Sequence, residues 1–184
     1  MFSTIGKISS FFLLISLSIS PIKLIAQDYK GFNKKIARII KKHDIPGLSI
    51  AIVKDGEIVA EGHNKVTSTN DPTAHAEVVA IREACKKLGS FQLDDCIIYT
   101  SCEPCPMCSF MIREYKISRV VFALPSPYMG GYSKWQILQD TDLTKFNLFF
   151  GQPPEVTGSF MEDEAKKVMK GTIFWMFGSS PKKP

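Results

Sequence analysis

The sequence lacks internal repeats and low-complexity tracts, and neither sign of charge dominates it. The absence of repeats excludes a repeat architecture. With 184 residues, 45% of them hydrophobic and 22% charged, the chain fits a single globular domain with a proper core. The net charge of +5 is spread along the chain. This charge distribution lacks the basic patch that is typical of a dedicated nucleic-acid-binding protein.

The N-terminal segment contains no acidic residue before Asp28. Lys7 precedes an apolar run over residues 11–19, which is shorter than the roughly 20 residues of a membrane span, and Ala26 offers a cleavage site. Residues 1–26 are therefore predicted to be a signal peptide, whose removal lowers the net charge from +5 to +3. We expect an exported protein that is not membrane-bound after cleavage. A cytoplasmic protein is the alternative.

Hydrophobic periodicity predicts an alternation of strands and helices in the rest of the chain. An amphipathic helix over 28–43 and a hairpin that turns at Asp55-Gly56 come first. The elements predicted next are a polar loop at 64–70, a helix from the cap Asp71 to Lys87, a strand at 96–100, a helix at 104–115, strands at 118–123 and 145–150, and a helix at 162–169. This order predicts a three-layer α/β/α sandwich with a mixed central sheet.

Cys105 and Cys108 are separated by two residues at the start of a predicted helix, whose dipole favours thiolates there. Such a pair serves as a redox dithiol, as half of a structural zinc site, or as two ligands of a catalytic metal. A second close pair, which a four-cysteine site requires, is missing, and Cys85 and Cys96 lie in apolar stretches typical of a core. A metal here needs His, Asp or Glu to complete its ligands.

The chain has only three histidines, and His75 is followed two positions later by Glu77. Positions i and i+2 do not share a helix face, so a metal held by His75 would not normally bind Glu77 as well. The carboxylate would instead reach an open fourth position. Three protein ligands and a water are the arrangement of catalytic zinc, and a carboxylate beside that water is a proton acceptor.

His-Ala-Glu at 75–77 and Pro-Cys-Pro-Met-Cys at 104–108 resemble the signature of the zinc-dependent nucleobase deaminases, the cytidine and deoxycytidylate deaminase superfamily. Residues 50–108 look especially similar to bacterial guanine deaminases. The resemblance implies a cytidine-deaminase-like domain over 27–184. It also implies one zinc ion per chain, held by His75, Cys105 and Cys108, with Glu77 as the proton shuttle. The implied activity is hydrolytic deamination of a free nucleobase or nucleoside, guanine first, by a homodimer.

The resemblance also implies substrate contacts by Asn64, which would bond the base, and by the backbone of Ala76 at the ring edge. Trp135 is a candidate to stack on a flat base, with a core or dimer contact as the alternative. Residues 109–111 replace a small pair usual in the family, and residues 125–135 lack the acids of guanine deaminases. The alternatives are a tRNA-specific adenosine deaminase, a cytosine deaminase and a catalytically silent nucleotide-binding protein. Export and the low mature charge make nucleic acid an unexpected partner.

Overall fold

The computed structural model of the protein describes residues 49–169. The predicted signal peptide at 1–26 and the predicted helix at 28–43 lie outside these residues. Within residues 49–169, no helix has the length and apolar character needed to cross a membrane.

The chain enters the sheet through an antiparallel hairpin of β1 (Ser49–Lys54) and β2 (Glu57–His63). Asp55 and Gly56, between the strands, have φ angles of 51° and 77°. Two successive positive φ angles are characteristic of the type I′ turn, which Asp-Gly favours. The predicted hairpin is therefore confirmed.

Three further strands complete a five-stranded sheet: β3 (Ile97–Cys102), β4 (Arg119–Leu124) and β5 (Glu155–Thr157). The strand order is β2-β1-β3-β4-β5. β1 runs antiparallel to β2 and β3, whereas β3, β4 and β5 are parallel to one another. The mixed sheet predicted from the sequence is confirmed.

The helices of the described region are α1 (Val66–Thr69), α2 (Ala76–Leu88), α3 (Pro106–Glu114) and α4 (Glu162–Met169). The longest, α2, packs on β1 and β2 through a face of small residues that includes Ala76, Ala80 and Ala84, all fully buried. The helix approaches β2 so closely that a Cβ on Gly62 would overlap the backbone of Ala76 and Ala80. This close contact fixes the position at which α2 begins.

Apolar residues cover both faces of the sheet. On one face Ile52, Ile98 and Val120 join the residues of α2 and α3 in the larger core cluster. On the other face Val53, Tyr99 and Val121 form a second cluster with Phe160 packed against it. The two buried faces agree with the layered α/β sandwich predicted from the sequence.

The predicted start of the long helix at Asp71 was wrong. The carboxylate of Asp71 accepts hydrogen bonds from the N–H and the hydroxyl of Thr73, at 2.8 and 2.7 Å, and so closes a turn of its own. α2 starts at Ala76, with His75 as its extended N-cap residue at ψ 153°. Aspartate is as well suited to such turns as to helix caps, and the local sequence does not distinguish the two.

Two further expectations were corrected. The loop predicted at 64–70 contains the single helical turn of α1. The strand predicted at 145–150 is absent: a 3-10 helix spans Asp142–Phe146, and the edge strand is β5 at Glu155–Thr157. Because parallel strands require a crossover connection, the apolar run at 145–150 lies in the connection between β4 and β5, where Leu148 is 87% exposed.

Arg113 holds this crossover against α3. Its side chain is fully buried, and its guanidinium donates hydrogen bonds of 2.8–2.9 Å to the carbonyl oxygens of Ile137, Asp140 and Gly151. Burial lowers the pKa of Arg113, and the charge of Asp140 opposes that shift. The planar fork of arginine joins three distant carbonyls, which the point charge of lysine does not match.

Candidate active site

Three side chains meet where α2 and α3 begin. The Sγ atoms of Cys105 and Cys108 lie 3.6 Å apart, and each lies 3.6 Å from Nδ1 of His75. His75 and Cys105 are half-buried and Cys108 is buried. The three ligand candidates named from the sequence thus form a nearly equilateral triangle.

The triangle fits a tetrahedral zinc ion. Bonds of about 2.3 Å to sulfur and about 2.1 Å to nitrogen, at tetrahedral angles, separate the ligand atoms by about 3.6–3.8 Å. The sulfur separation is also far above the roughly 2.05 Å of a disulfide, so the redox alternative gains no support from this geometry. His75, Cys105 and Cys108 would provide three ligands to a zinc ion, the number of protein ligands that catalytic zinc sites use.

Two helix N-termini form the site. His75 is the N-cap residue of α2 and Cys105 is the N-cap residue of α3, whose first turn carries Cys108. The unpaired N–H groups and the dipoles of both helices therefore favour negative charge at the site. This field stabilises the two thiolates and the carboxylate of Glu77 in the first turn of α2.

The ionisation of the three ligands is coupled. The hydrogen bond between the two sulfurs lowers the pKa of Cys105 to about 4 and raises the pKa of Cys108. The hydrogen bond with Cys105 also raises the pKa of His75. A metal ion that binds both sulfurs as thiolates would displace the proton of this hydrogen bond.

Glu77 is the acidic group of the site. Its side chain is 98% buried by accessible area, and its Oε2 has no hydrogen-bond partner among residues 49–169. Burial raises the pKa of Glu77 to about 7, which suits a group that both accepts and gives protons near neutral pH. Because buried polar atoms normally have partners, the unpaired oxygen indicates that a water or a substrate atom belongs beside it.

The predicted substrate contacts are placed as follows. Asn64 directly follows β2 and is exposed; its Oδ1 accepts a hydrogen bond of 3.0 Å from Val66 N–H. Ala76 is the first residue of α2 and is fully buried, and its N–H has no acceptor within the helix. Trp135 is 55% exposed in the connection after β4. The contact of these residues with a base stays a prediction.

Sequence reasoning missed Glu103, two residues before Cys105. This carboxylate is buried and is held in place by four hydrogen bonds from residues 126–133. The sequence carried one signal, an acid between a buried strand and a metal-ligating turn. Its partners lie more than twenty residues downstream, which no local pattern reveals.

Comparison with known proteins agrees with the site. The family model described as the cytidine and deoxycytidylate deaminase zinc-binding region matches residues 31–124. A 72-residue segment, 39% of the chain, is 79% identical to guanine deaminase of Bacillus subtilis but spans only 46% of that enzyme. A longer match, 35% identical over 141 residues, covers 76% of the chain and 93% of the tRNA-specific adenosine deaminase of Aquifex aeolicus.

A solved structure gives the same result for the fold. A structure reported in a study of A-to-I editing by tRNA:A34 deaminases aligns with a TM-score of 0.60 and 28% identity, over 72% of this chain and 91% of that one. The fold and the site are those of the zinc-dependent deaminases. The chain belongs to the cytidine and deoxycytidylate deaminase family, and its His75, Cys105 and Cys108 form the site for one zinc ion.

Proposed function

We propose that this protein hydrolyses the exocyclic amino group of a free nucleobase or nucleoside, with guanine as the first candidate. The observation that carries the proposal is the 3.6 Å triangle of His75, Cys105 and Cys108 beside the unpaired Oε2 of Glu77. In this reaction the exocyclic amino group and a water molecule are converted into a carbonyl group on the base and ammonia. The similarity of 72 residues to guanine deaminase supports guanine over other bases.

His75, Cys105 and Cys108 would hold a zinc ion, which would supply a Lewis acid that lowers the pKa of the attacking water. Glu77 Oε2 accepts a proton from the attacking water and delivers it to the ring nitrogen next to the amino-bearing carbon. The water oxygen bonds to that carbon, and Glu77 then takes the second proton of this oxygen and passes it to the amino group. The C–N bond breaks, the oxygen becomes a carbonyl and ammonia leaves. The burial that raises the pKa of Glu77 to about 7 lets one carboxyl perform both transfers.

The charge of the described region supports a small neutral substrate. Residues 49–169 carry twelve lysines and arginines against sixteen aspartates and glutamates, a net charge of −4. Arg113, Glu77 and Glu103 are buried, which leaves eleven cationic and fourteen anionic residues at the surface, a net charge of −3. Phosphate contacts provide most of the affinity of proteins that bind nucleic acids, and they need exposed cations. A free base or nucleoside carries no phosphate, so its binding does not need exposed cations.

The second candidate is deamination of adenosine in tRNA. This candidate is favoured by the match over 93% of the Aquifex aeolicus tRNA-specific adenosine deaminase. It is also favoured by the structural similarity to the protein solved in the study of tRNA:A34 deaminases. The basic residues that such a substrate needs are concentrated at 30–42, outside the described region. The dependence of turnover on salt distinguishes the two candidates.

We expect ammonia release from at least one free base or nucleoside, at a rate that changes little between roughly 50 and 200 mM salt. Proteins that bind the phosphates of nucleic acids lose much of their affinity over this range. The measurement compares guanine, cytosine, adenine and their nucleosides with an anticodon stem-loop, at each salt concentration. Steeply salt-dependent release from the stem-loop alone would instead establish the tRNA activity.

We also propose that residues 1–26 direct export and that the mature enzyme is a homodimer. Export supports the choice of a free base, because intact tRNA is not available outside the cytoplasm. Sequencing the N-terminus of the protein from its host tests this: a mature chain that starts at Gln27 is expected, and a chain that retains Phe2 contradicts it. Light scattering on the purified protein tests the dimer.

A further inference from the structure

The carboxylate of Glu103 connects the metal-ligating turn to residues 125–136, the segment that we call the β4 loop. Oε2 accepts hydrogen bonds from Ser126 N–H and the Ser133 hydroxyl, at 2.7 and 2.9 Å. Oε1 accepts from the N–H groups of Tyr132 and Ser133, at 3.1 and 2.6 Å. Both oxygens act only as acceptors, and all four donors belong to the β4 loop. One buried side chain thus fixes both ends of an eight-residue stretch.

The β4 loop lies beside the metal ligands. β3 and β4 are parallel neighbours that pair Cys102 with Leu124 at their carboxyl ends, so the two segments that follow them leave the sheet at the same edge. Gly131 N–H donates a hydrogen bond of 2.8 Å to the carbonyl oxygen of Pro104, next to Cys105. In α/β proteins, ligands bind in the crevice outside the carboxyl ends of parallel strands.

Two glycines fit the loop closely to its support. A Cβ on Gly130 would overlap the carboxylate of Glu103, and a Cβ on Gly131 would overlap the hydroxyl of Ser109. Neither glycine has room for a side chain, so the backbone of the β4 loop lies directly against the carboxylate and the first turn of α3. The β4 loop therefore contacts Glu103 and α3 both through hydrogen bonds and through close packing.

The outer side of the β4 loop is aromatic. Tyr128 is 56% exposed and Trp135 is 55% exposed, although large aromatic side chains usually bury most of their area. Exposed aromatic faces on a loop that contacts the metal-ligating turn are suited to stack on a flat base, and each base stacked on an aromatic ring contributes substantially to affinity.

We propose that Glu103 is a positioning residue that holds the β4 loop as one wall of the substrate crevice and so determines substrate affinity. The proposal rests on the proposed function, since the crevice is the binding site for the base. The β4 loop carries no group that transfers a proton in the reaction described above. Its displacement is therefore expected to weaken binding of the substrate more than it slows the chemical step.

The test replaces Glu103 by glutamine and Ser133 by alanine, with Glu114→Gln as a control because Glu114 is exposed on α3. In Glu103→Gln the amide NH2 faces donors, so at least one buried N–H loses its acceptor. We expect KM to rise about tenfold or more, with a smaller change in kcat and with zinc retained. Ser133→Ala keeps the three backbone hydrogen bonds, so its KM is expected to rise only about two- to fivefold.

KM is measured on whichever substrate of the panel above is turned over, so failure of guanine alone does not affect the test. Hydrogen exchange at the N–H groups of Ser126, Tyr132 and Ser133 is measured without substrate and does not depend on activity. Faster exchange together with a raised KM supports the proposal. Unchanged exchange in Glu103→Gln overturns it, and so does faster exchange with an unchanged KM. If Glu103→Gln does not fold, an unchanged KM and unchanged exchange in Ser133→Ala overturn it.

Discussion

Replacing Glu77 by glutamine is expected to lower kcat by about 10²- to 10⁴-fold, the range for loss of a positioned proton-transfer group. Glutamine has nearly the same size and keeps one acceptor oxygen, so the packing of α2 should persist. The amide cannot take up a proton, and the proposed reaction asks Glu77 to do so twice. The zinc content should stay at about one per chain, because Glu77 is not one of the three ligand atoms of the triangle.

The matched control is Glu83→Gln on the same helix, where the carboxylate is exposed and forms an ion pair with Lys86. That substitution should leave both kcat and zinc content near those of the unsubstituted protein, since exposed ion pairs contribute little. Steady-state kinetics and metal analysis on both variants give the comparison. A Glu77→Gln protein with nearly normal kcat would place the proton shuttle on another residue.

Replacing Cys108 by alanine is expected to reduce bound zinc from about one per chain to nearly none, because a site with three protein ligands rarely tolerates the loss of one. Activity should be lost together with the metal. Cys108 is fully buried, so the substitution also leaves a small void. Cys105→Ala gives a second measurement at a half-buried position, where packing contributes less.

Cys85→Ala is the control for these two variants, because Cys85 is partly buried in α2 but does not belong to the triangle. Its zinc content should be unchanged. Metal analysis after dialysis against a weak chelator gives the stoichiometry of each variant. Full zinc retention in both Cys105→Ala and Cys108→Ala would contradict the assigned ligand set.

The two close pairs within the site were predictable from the sequence because their spacing is local. The resemblance to the zinc-dependent deaminases then combined His75 with Cys105 and Cys108, thirty or more residues away. Cys105 and Cys108 are separated by two residues, and His75 and Glu77 by one, so each pair keeps its geometry whenever a helix begins there. The hairpin at Asp55-Gly56 was predictable for the same reason, since the turn needs only its own two residues. The scarcity of histidine then left few ways to complete the site.

Other features were not predictable because distant contacts decide them. The start of α2 depends on the packing of Ala76 and Ala80 against Gly62, which local sequence does not show. The apolar residues at 145–150 satisfy a strand pattern, yet the parallel pairing of β4 with β5 places them in the crossover connection. The sequence does not distinguish Glu103 from the other acidic residues, because its hydrogen-bond donors at 126–133 come close to it only in the folded chain.

Hydrolysis of a free base at the zinc site is tested most directly with 18O-labelled water. The zinc-loaded protein is incubated with guanine in this water. Mass spectrometry then follows the base, and ammonia is assayed in parallel. We expect xanthine that carries one 18O from water, in equal amount to the ammonia released, and its rate of formation should fall by about 10²-fold or more in Glu77→Gln. Unchanged guanine, together with no ammonia from any other free base or nucleoside, would contradict it.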